Sequence, residues 1–381
     1  MTGPLGVVVT IVLFLVVLGS LVLVHELGHF VMARLAGVRV LEFGIGFPPR
    51  AKILRAKGET LYTLNWLPIG GFVKLEGEDG DDTNDPRSFV RARLPVKLII
   101  LVAGVAMNLI VSLVIFTAIA WLATPVVGVR IPIVEDGSPA AVAGLQPGDA
   151  IVSVDGVRHD VLSLSEGTIL DDLRAHLGQT VTLQIVHADG SRADVPVTLR
   201  TAAETADPDG DGPLPGKGAL GIRSADQKSG FPPFFSGDYN QHDLPTAVSL
   251  GTRETTRWFG VILGGLGDLA RQVASNPTAA PPVAGPIGIA TQISDIFFGA
   301  GLVMTIYVAG ILSANLALVN ALPFPPLDGG RMFMIVLKAV FGRRITLRAE
   351  RTTYAIGFIV LFGFLIWVTG FDIARIITGG S

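Results

Sequence analysis

Four long apolar runs, at about 5–35, 96–122, 301–322 and 354–369, stand out along this 381-residue chain. Each is close to the roughly 20 residues that a helix needs to cross a hydrocarbon core. Between the second and third runs, short stretches alternate apolar and polar positions and are broken by Gly, Pro and Asp. That is the pattern of strands and tight turns. The expected architecture is a polytopic α-helical membrane protein with about four transmembrane helices and an α+β domain inserted mid-chain. Pro95 fits the first turn of the second helix, where its missing N–H is not needed.

The same pattern predicts five segments. Residues 1–127 form an N-terminal membrane half and 128–200 an α+β domain. Residues 201–243, rich in Gly, Pro and Asp, read as a flexible linker. Residues 244–300 form an amphipathic region at the membrane surface, where Trp258, Phe259, Val261, Ile262 and Leu266 crowd together. Residues 301–381 are the C-terminal membrane half. In the first loop, 41–47, 60–65 and 67–75 extend between turns marked by Gly44, Gly46, Gly70 and Gly71. This spacing favours a small sheet outside the membrane over one that dips into it with an edge open to an extended peptide.

Composition agrees with a membrane protein: half of the residues are hydrophobic, 16% are charged, and mean hydropathy is +0.57. A net charge of -3 argues against nucleic acid as a partner. With no cysteine, disulfides and thiolate ligands are excluded, so any metal must use His and carboxylates. Met1-Thr2-Gly3-Pro4 lacks a basic n-region, and the first run is expected as a retained helix. Basic residues concentrate between runs one and two (Arg34, Arg39, Arg50, Lys52 among them) and between runs three and four (Arg331, Lys338, Arg343, Arg344, Arg348, Arg351). By the positive-inside rule both loops are cytoplasmic, and the inserted domain is extracytoplasmic.

The candidate chemistry lies near the end of the first run, at His25-Glu26-Leu27-Gly28-His29. Helix positions i and i+4 share a face, so His25 and His29 can present two imidazoles to one Zn²⁺. Glu26 is free to act as general base and then acid on the attacking water. Ionisable groups are costly in a membrane-length run and imply a function. The third run ends in Asn320, Pro323, Pro325, Pro326 and Asp328, where the prolines break the helix. Asp328 is the natural third metal ligand, with capping of the next helix as the alternative. Asn320 either donates to a peptide carbonyl or satisfies backbone freed by Pro323. Asn108, in the second run, reads as interhelical glue, with Gly104 nearby allowing close packing. Asp207, Asp209 and Asp211 hint at a calcium loop but lack its closing Glu. His159, His176 and His187 fall at no ligand spacing and read as ordinary surface histidines.

The string Ser138-Pro139-Ala140, Ala143-Gly144-Leu145, Gly148-Asp149 and Val154-Asp155-Gly156 resembles a PDZ domain of the bacterial protease type. That implies a groove for a peptide tail, expected between the strand at 129–134 and the helix at 169–177. HELGH at 25–29, together with Asn320-x-x-Pro323-x-Pro325-x-Leu327-Asp328-Gly329-Gly330, resembles the site-2 protease family of intramembrane zinc metalloproteases. Within it, the regulator of sigma-E type is the nearest, and the resemblance covers nearly the whole chain. It implies that 43–75 is a membrane-reentrant β-loop, reversing the reading from spacing alone. It also implies substrate-binding roles for Asn320, Pro323, Pro325, Gly44, Gly46, Gly70, Gly71, Gly285 and Pro286, and places Gly104–Asn108 near the substrate path.

The implied activity is zinc-dependent cleavage within the transmembrane segment of single-span proteins, such as anti-sigma factors or signal-peptide remnants. The implied setting is the bacterial cytoplasmic membrane, with its lipid as a partner and the active site near the cytoplasmic side. One PDZ-like domain stands where enterobacterial relatives have tandem ones. The competing reading is a non-catalytic adaptor with a structural zinc; Glu26, which a structural site does not need, argues against it.

Overall fold

A computed structural model describes residues 3–378 except 57, 79–83, 165, 207–217, 225–230, 277 and 343–344. In chain order the elements are α1 (Pro4–Leu35), β1 (Val40–Arg55), β2 (Leu61–Leu75), α2 (Leu94–Leu122), β3 (Thr124–Arg130), β4 (Ile133–Val134), α3 (Pro139–Val142), β5 (Ala150–Val154) and α4 (Ile169–Ala175). They continue with β6 (Thr180–Val186), β7 (Arg192–Thr198), α5 (Ala202–Thr205), β8 (Ile222–Arg223), β9 (Pro233–Asn240), α6 (Leu244–Ser275), α7 (Pro286–Ala321), α8 (Asp328–Phe341) and α9 (Leu347–Thr378). The chain forms two compact units, one of Met1–Thr117 with Gly251–Ser381 and one of Ala118–Leu250.

Four helices among the described residues are long and apolar enough to cross a membrane: Leu5–Leu35, Leu94–Leu122, Pro286–Ala321 and Arg348–Thr378. The chain is therefore a multi-pass membrane protein. Pro4 starts α1 in the first turn, and the chain leaves it through Gly37 at φ 76°, a conformation that suits glycine. The third helix begins 15 residues before its apolar run and is broken at Gly301 (φ 81°, ψ -174°). The expected start at 301 was thus the break itself. Polar residues such as Thr291, Ser294 and Asp295 had hidden the first half.

The loop between α1 and α2 is a hairpin of two long strands, β1 and β2, folded as a small sheet in which their halves pair separately. Residues 41–47, 60–65 and 67–75 are thus extended as expected, with 50–55 as a further paired segment. The first half of β1 pairs on one side with the end of β2, from Val40↔Leu75 to Ile45↔Gly71, and on the other with its start, from Glu42↔Leu61 to Ile45↔Leu64. The second half of β1 pairs with that same start, from Arg50↔Asn65 to Arg55↔Tyr62. Gly46 (φ 80°) and Gly70 (φ 74°) lie within the strands, as bends rather than strand ends. The hairpin lies along α1: a Cβ on Gly70 would meet Val22 at 2.7 Å, and one on Gly71 would come within 3.8 Å of Glu26. At its base, Ala33, Val40, Leu75, Phe89, Ile100 and Leu101 form a buried cluster shared by α1, the hairpin and α2.

The second unit is built on a five-stranded sheet of order β7-β6-β5-β3-β9. Its core includes Ile131, Ile151, Ile169, Leu173, Leu183, Ile185 and Leu220, all at most 3% exposed. Ser138 caps α3 by accepting from Ala141 N–H, and a capping box between Thr168 and Asp171 starts α4.

Two expectations are corrected here. Within 201–243, α5, β8 and β9 are ordered elements, and β9 extends the sheet on β3 from Thr124↔Asn240 to Val129↔Pro233. Those parts are not linker, while Asp207, Asp209 and Asp211 lie outside the described residues. The expected peptide groove beside 129–134 is also filled. Val129 pairs with both Ile151 and Pro233, and Ile133 and Val134 pair with Arg223 and Ile222. Among the described residues β3 is paired on both edges and β4 on one, so no open edge is left on β3 for a peptide.

Candidate metal centre

The candidate metal ligands converge from α1 and α8 against α2. His25 Nε2 and His29 Nε2 lie 2.9 and 3.1 Å from the same oxygen of Asp328, and 3.1 Å from each other. Among the described residues, this is the one cluster of three His, Asp or Glu side chains placed to hold a metal ion. Tetrahedral donors about 2.0–2.2 Å from a zinc ion are separated by roughly 3.3–3.5 Å; the three atoms stand a few tenths of an ångström closer than that, and small side-chain shifts would open them to the ion.

Protonation of the rings agrees. His29 Nδ1 lies 2.8 Å from the carbonyl oxygen of Ile100. A carbonyl only accepts, so Nδ1 carries the proton and Nε2 the lone pair. His25 Nδ1 is 3.4 Å from the side-chain amide nitrogen of Asn108, whose buried Oδ1 has no partner in the described residues. A half-turn of that amide lets His25 Nδ1–H donate to Asn108 and frees Nε2 toward the cluster. Two lone pairs and a carboxylate oxygen then face one point, which a divalent cation satisfies. The donor set fits Zn²⁺.

Glycine makes this approach possible. A Cβ on Gly104 of α2 would stand 2.4 Å from His29 Nε2 and 2.8 Å from a His25 ring carbon. One on Gly28 would stand 2.4 Å from the Ala103 carbonyl oxygen. Two different outcomes are expected. Gly104→Ala displaces the imidazoles and weakens zinc about 10–100-fold, the scale of a lost supporting contact, measured by competition with a chromophoric chelator. Gly28→Ala pushes α1 from α2 backbone and lowers stability by about 1–3 kcal/mol, measured by thermal unfolding.

On the other side, Asp328 opens α8 after the break that follows α7. Cβ atoms on Gly329 and Gly330 would lie 2.2 Å from the Leu322 carbonyl oxygen and 2.5 Å from Phe324 backbone. Only glycines let α8 start this tightly under the end of α7. One turn on, Arg331 pairs with Glu78 at 2.6 Å, and Glu78 also accepts from Leu75 N–H. Burial opposes the Arg331 charge, but the Glu78 carboxylate outweighs it and raises the guanidinium above its ordinary value. The pair ties α8 to the end of the hairpin.

Glu26 is not in the ligand cluster. It lines a cavity of about 200 Å³ together with His25, Asn108, Leu316, Asn320 and Asp328. It also lines a second, of about 180 Å³, with His29, Gly71, Phe72, Val73 and Asp328. Asn320, on the last turn of α7, thus shares a cavity with the metal ligands. Gly71 reaches the other side of Glu26, and Gly70 packs on Val22. Gly44 and Gly46 lie in β1, facing Phe72 and the Leu67 carbonyl oxygen. Pro323 and Pro325 shape the turn between α7 and α8, with Pro325 against Gly357 of α9.

Gly285 and Pro286 are not brought to the cluster. They start α7, where Asp372 of α9 accepts from the N–H groups of Gly285 and Gly288. Asp372 lies 15 residues beyond Gly357 on α9, about 22 Å along a helix. Gly104 and Asn108, read from the residues as packing and from the family resemblance as lying near the substrate path, sit beside the imidazoles. Their own i, i+4 spacing on an apolar helix, matching that of His25 and His29, was the available signal.

Comparison with known proteins gives the same direction. The model for peptidase family M50 matches residues 13–364. The zinc metalloprotease RasP of Geobacillus kaustophilus is 27% identical over 96% of this chain and 98% of its own. A protein of Agrobacterium fabrum assigned as a zinc metalloprotease is 30% identical over 96% of both chains. A probable chloroplastic membrane metalloprotease of Arabidopsis thaliana is 30% identical over 91% of this chain and 76% of its own. With the family's match spanning both the α1 histidines and Asp328, the chain belongs to peptidase family M50, the site-2 proteases, and is a zinc metalloprotease.

Proposed function

We propose that this enzyme cleaves peptide bonds within or beside the transmembrane segment of single-span membrane proteins. Anti-sigma-factor-like proteins and signal-peptide remnants are the substrate classes, and the setting is regulated intramembrane proteolysis. The observation that carries this reading is the convergence of His25, His29 and Asp328 on apolar, membrane-length helices, with Glu26 facing the adjoining cavities. Bound zinc supplies Lewis-acid chemistry, acidifying water and polarising a carbonyl. His25, His29 and Asp328 hold it.

Glu26 takes the proton of the attacking water and returns it to the leaving amine. Asn320 donates its amide N–H to the scissile carbonyl oxygen, where negative charge develops. Asn108 and the Ile100 carbonyl fix the two rings. A helical substrate has its carbonyls engaged in its own hydrogen bonds, so the bond to be cut must first be unwound. The hairpin supports that step. β1 and β2 pair only with each other among the described residues, leaving outer edges for an added strand, and β2 runs past Glu26 at Gly71–Val73. On this reading the hairpin is membrane-reentrant, Gly70 and Gly71 keep its path close to α1, and Gly44 and Gly46 let its own segments close on one another, while Pro323 and Pro325 hold the turn below Asn320.

The second unit acts as an extracytoplasmic, PDZ-like filter on the substrate's outer portion. Its peptide site lies beside β8, where Ile222 of the strand and Leu220 just before it share a core with Ile169 and Leu173 of α4. The basic loops set the orientation in a bacterial cytoplasmic membrane, with the metal near the cytoplasmic face.

The test uses proteoliposomes holding the full chain and offered two substrates, a single-span peptide and an unfolded water-soluble protein. Zinc-dependent cleavage of the span alone is expected. Cleavage of the soluble protein alone would assign an ordinary peptidase, and cleavage of neither by zinc-loaded enzyme would favour the adaptor.

A further inference from the structure

Hydrolysis beside Glu26 leaves a charge behind. The C–N bond breaks, the water's hydroxyl joins the acyl carbon and its proton goes to the nitrogen. The acid so formed ionises, and a peptide carboxylate stands where a neutral amide stood. It forms in acidic company: Glu26 and Asp328 line both cavities beside the ligand cluster, and Glu78 lines the second. Like charges crowded together are unfavourable unless a cation receives one of them.

Among the described residues that line those two cavities, Arg331 is the one Arg or Lys. It follows Asp328 by three positions on α8, so both side chains leave the same face of that helix. Arg331 and Glu78 also line a third cavity, of about 860 Å³, in the same unit of Met1–Thr117 and Gly251–Ser381. That cavity extends to the starts of α2 and α9, where Leu94 and Glu350 border it. The Arg331–Glu78 pair, at 2.6 Å, therefore stands in the wall between the catalytic side and the larger cavity. Glu78 is not left unsatisfied when Arg331 turns away, because it also accepts from Leu75 N–H at 2.9 Å. Arg331 can thus exchange one carboxylate for another without orphaning the first.

We infer that Arg331 receives the new C-terminal carboxylate of the product, displacing Glu78 from its guanidinium, and that the 860 Å³ cavity is the way this end of the fragment leaves. The ligand class is a peptide α-carboxylate, to which a planar guanidinium offers two parallel N–H donors. The inference rests on the peptidase chemistry proposed at Glu26, and not on where in the substrate the bond lies.

The test is binding of two apolar tetrapeptides to the full chain in detergent, by microscale thermophoresis, with zinc and after its removal. One is acetyl-Leu-Ala-Leu-Leu with a free carboxylate, and the other is the same peptide closed by a carboxamide. The carboxylate should bind about tenfold more tightly in both forms, the lower end for a hydrogen bond to a charged group. Arg331→Gln should abolish that preference and Arg331→Lys keep part of it. Glu78→Gln should strengthen it, since the competing charge is gone while the amide oxygen still accepts from Arg331 and Leu75. A pair that only ties α8 to the hairpin predicts a loss in Glu78→Gln instead. Zinc uptake at the wild-type level qualifies each variant as folded, and if Arg331→Gln lacks it the sign in Glu78→Gln decides. No carboxylate preference in zinc-free wild type, an unchanged one in Arg331→Gln, or a weakened one in Glu78→Gln overturns the inference. None of these measurements involves cleavage, so such a result leaves the proteoliposome assay to judge the proposed function on its own.

Discussion

Asp328→Ala empties the metal centre: the purified variant is expected to carry less than a hundredth of the zinc affinity of wild type and to lose cleavage with it. Its carboxylate oxygen is the shared neighbour of both imidazoles, at 2.9 and 3.1 Å. Without it, two neutral rings remain, short of the three protein ligands that catalytic zinc sites use. Losing a supporting contact costs 10–100-fold in affinity, and losing a charged ligand costs more. Asp328→Asn separates charge from shape, because the amide fills the same space at the start of α8 but offers a weaker, neutral oxygen. Both variants should fold, since α8 is placed by Gly329, Gly330 and the Arg331–Glu78 pair rather than by a cap from Asp328. Metal analysis after dialysis against a buffered zinc series reads the affinity. Wild-type zinc content in Asp328→Ala would leave Asp328 as a helix-terminal acid and nothing more.

Glu26→Gln separates chemistry from metal binding. Zinc should stay at the wild-type level, because Glu26 is outside the ligand cluster. Turnover should fall about 10²–10⁴-fold, the contribution of a positioned general base, with little change in KM. The pH profile adds a second reading. The working form of Glu26 is the carboxylate, so wild-type activity falls as pH drops through its pKa and the group protonates. Glu26→Gln has no such group, and that acid limb should be missing from its residual rate. Full activity in the Gln variant would remove Glu26 from the mechanism.

The ligand cluster was legible in the sequence because each part breaks a local rule. Two histidines one turn apart in a membrane-length apolar run demand a partner, and an aspartate just past a proline-broken helix end supplies one. Asn108 was less legible, since a buried amide in a membrane helix serves packing as readily as it serves a ligand ring. The hairpin's extended segments were legible from its glycines, since Gly46 and Gly70, both at positive φ, lie where the pairing partners change; the extra segment 50–55 carries no such mark. The peptide groove was misplaced for a non-local reason. β9 pairs with β3 across about a hundred residues, and no periodicity near Val129 announces a second partner from Pro233. Composition also concealed β9, where Pro, Ser, Gly and Asp among the aromatic residues read as linker. Gly285 and Pro286 fit a helix start capped by Asp372, a contact formed only once α9 packs against it.

Mapping the bond that is cut tests the intramembrane assignment most directly. Zinc-loaded wild type in liposomes, given a single-span substrate in the same bilayer, should yield fragments whose new termini, read by mass spectrometry, lie inside or at the edge of the apolar span. Those termini should be absent with Glu26→Gln. Fragments ending only in the substrate's water-exposed tails, or the same intramembrane termini from Glu26→Gln, would contradict it.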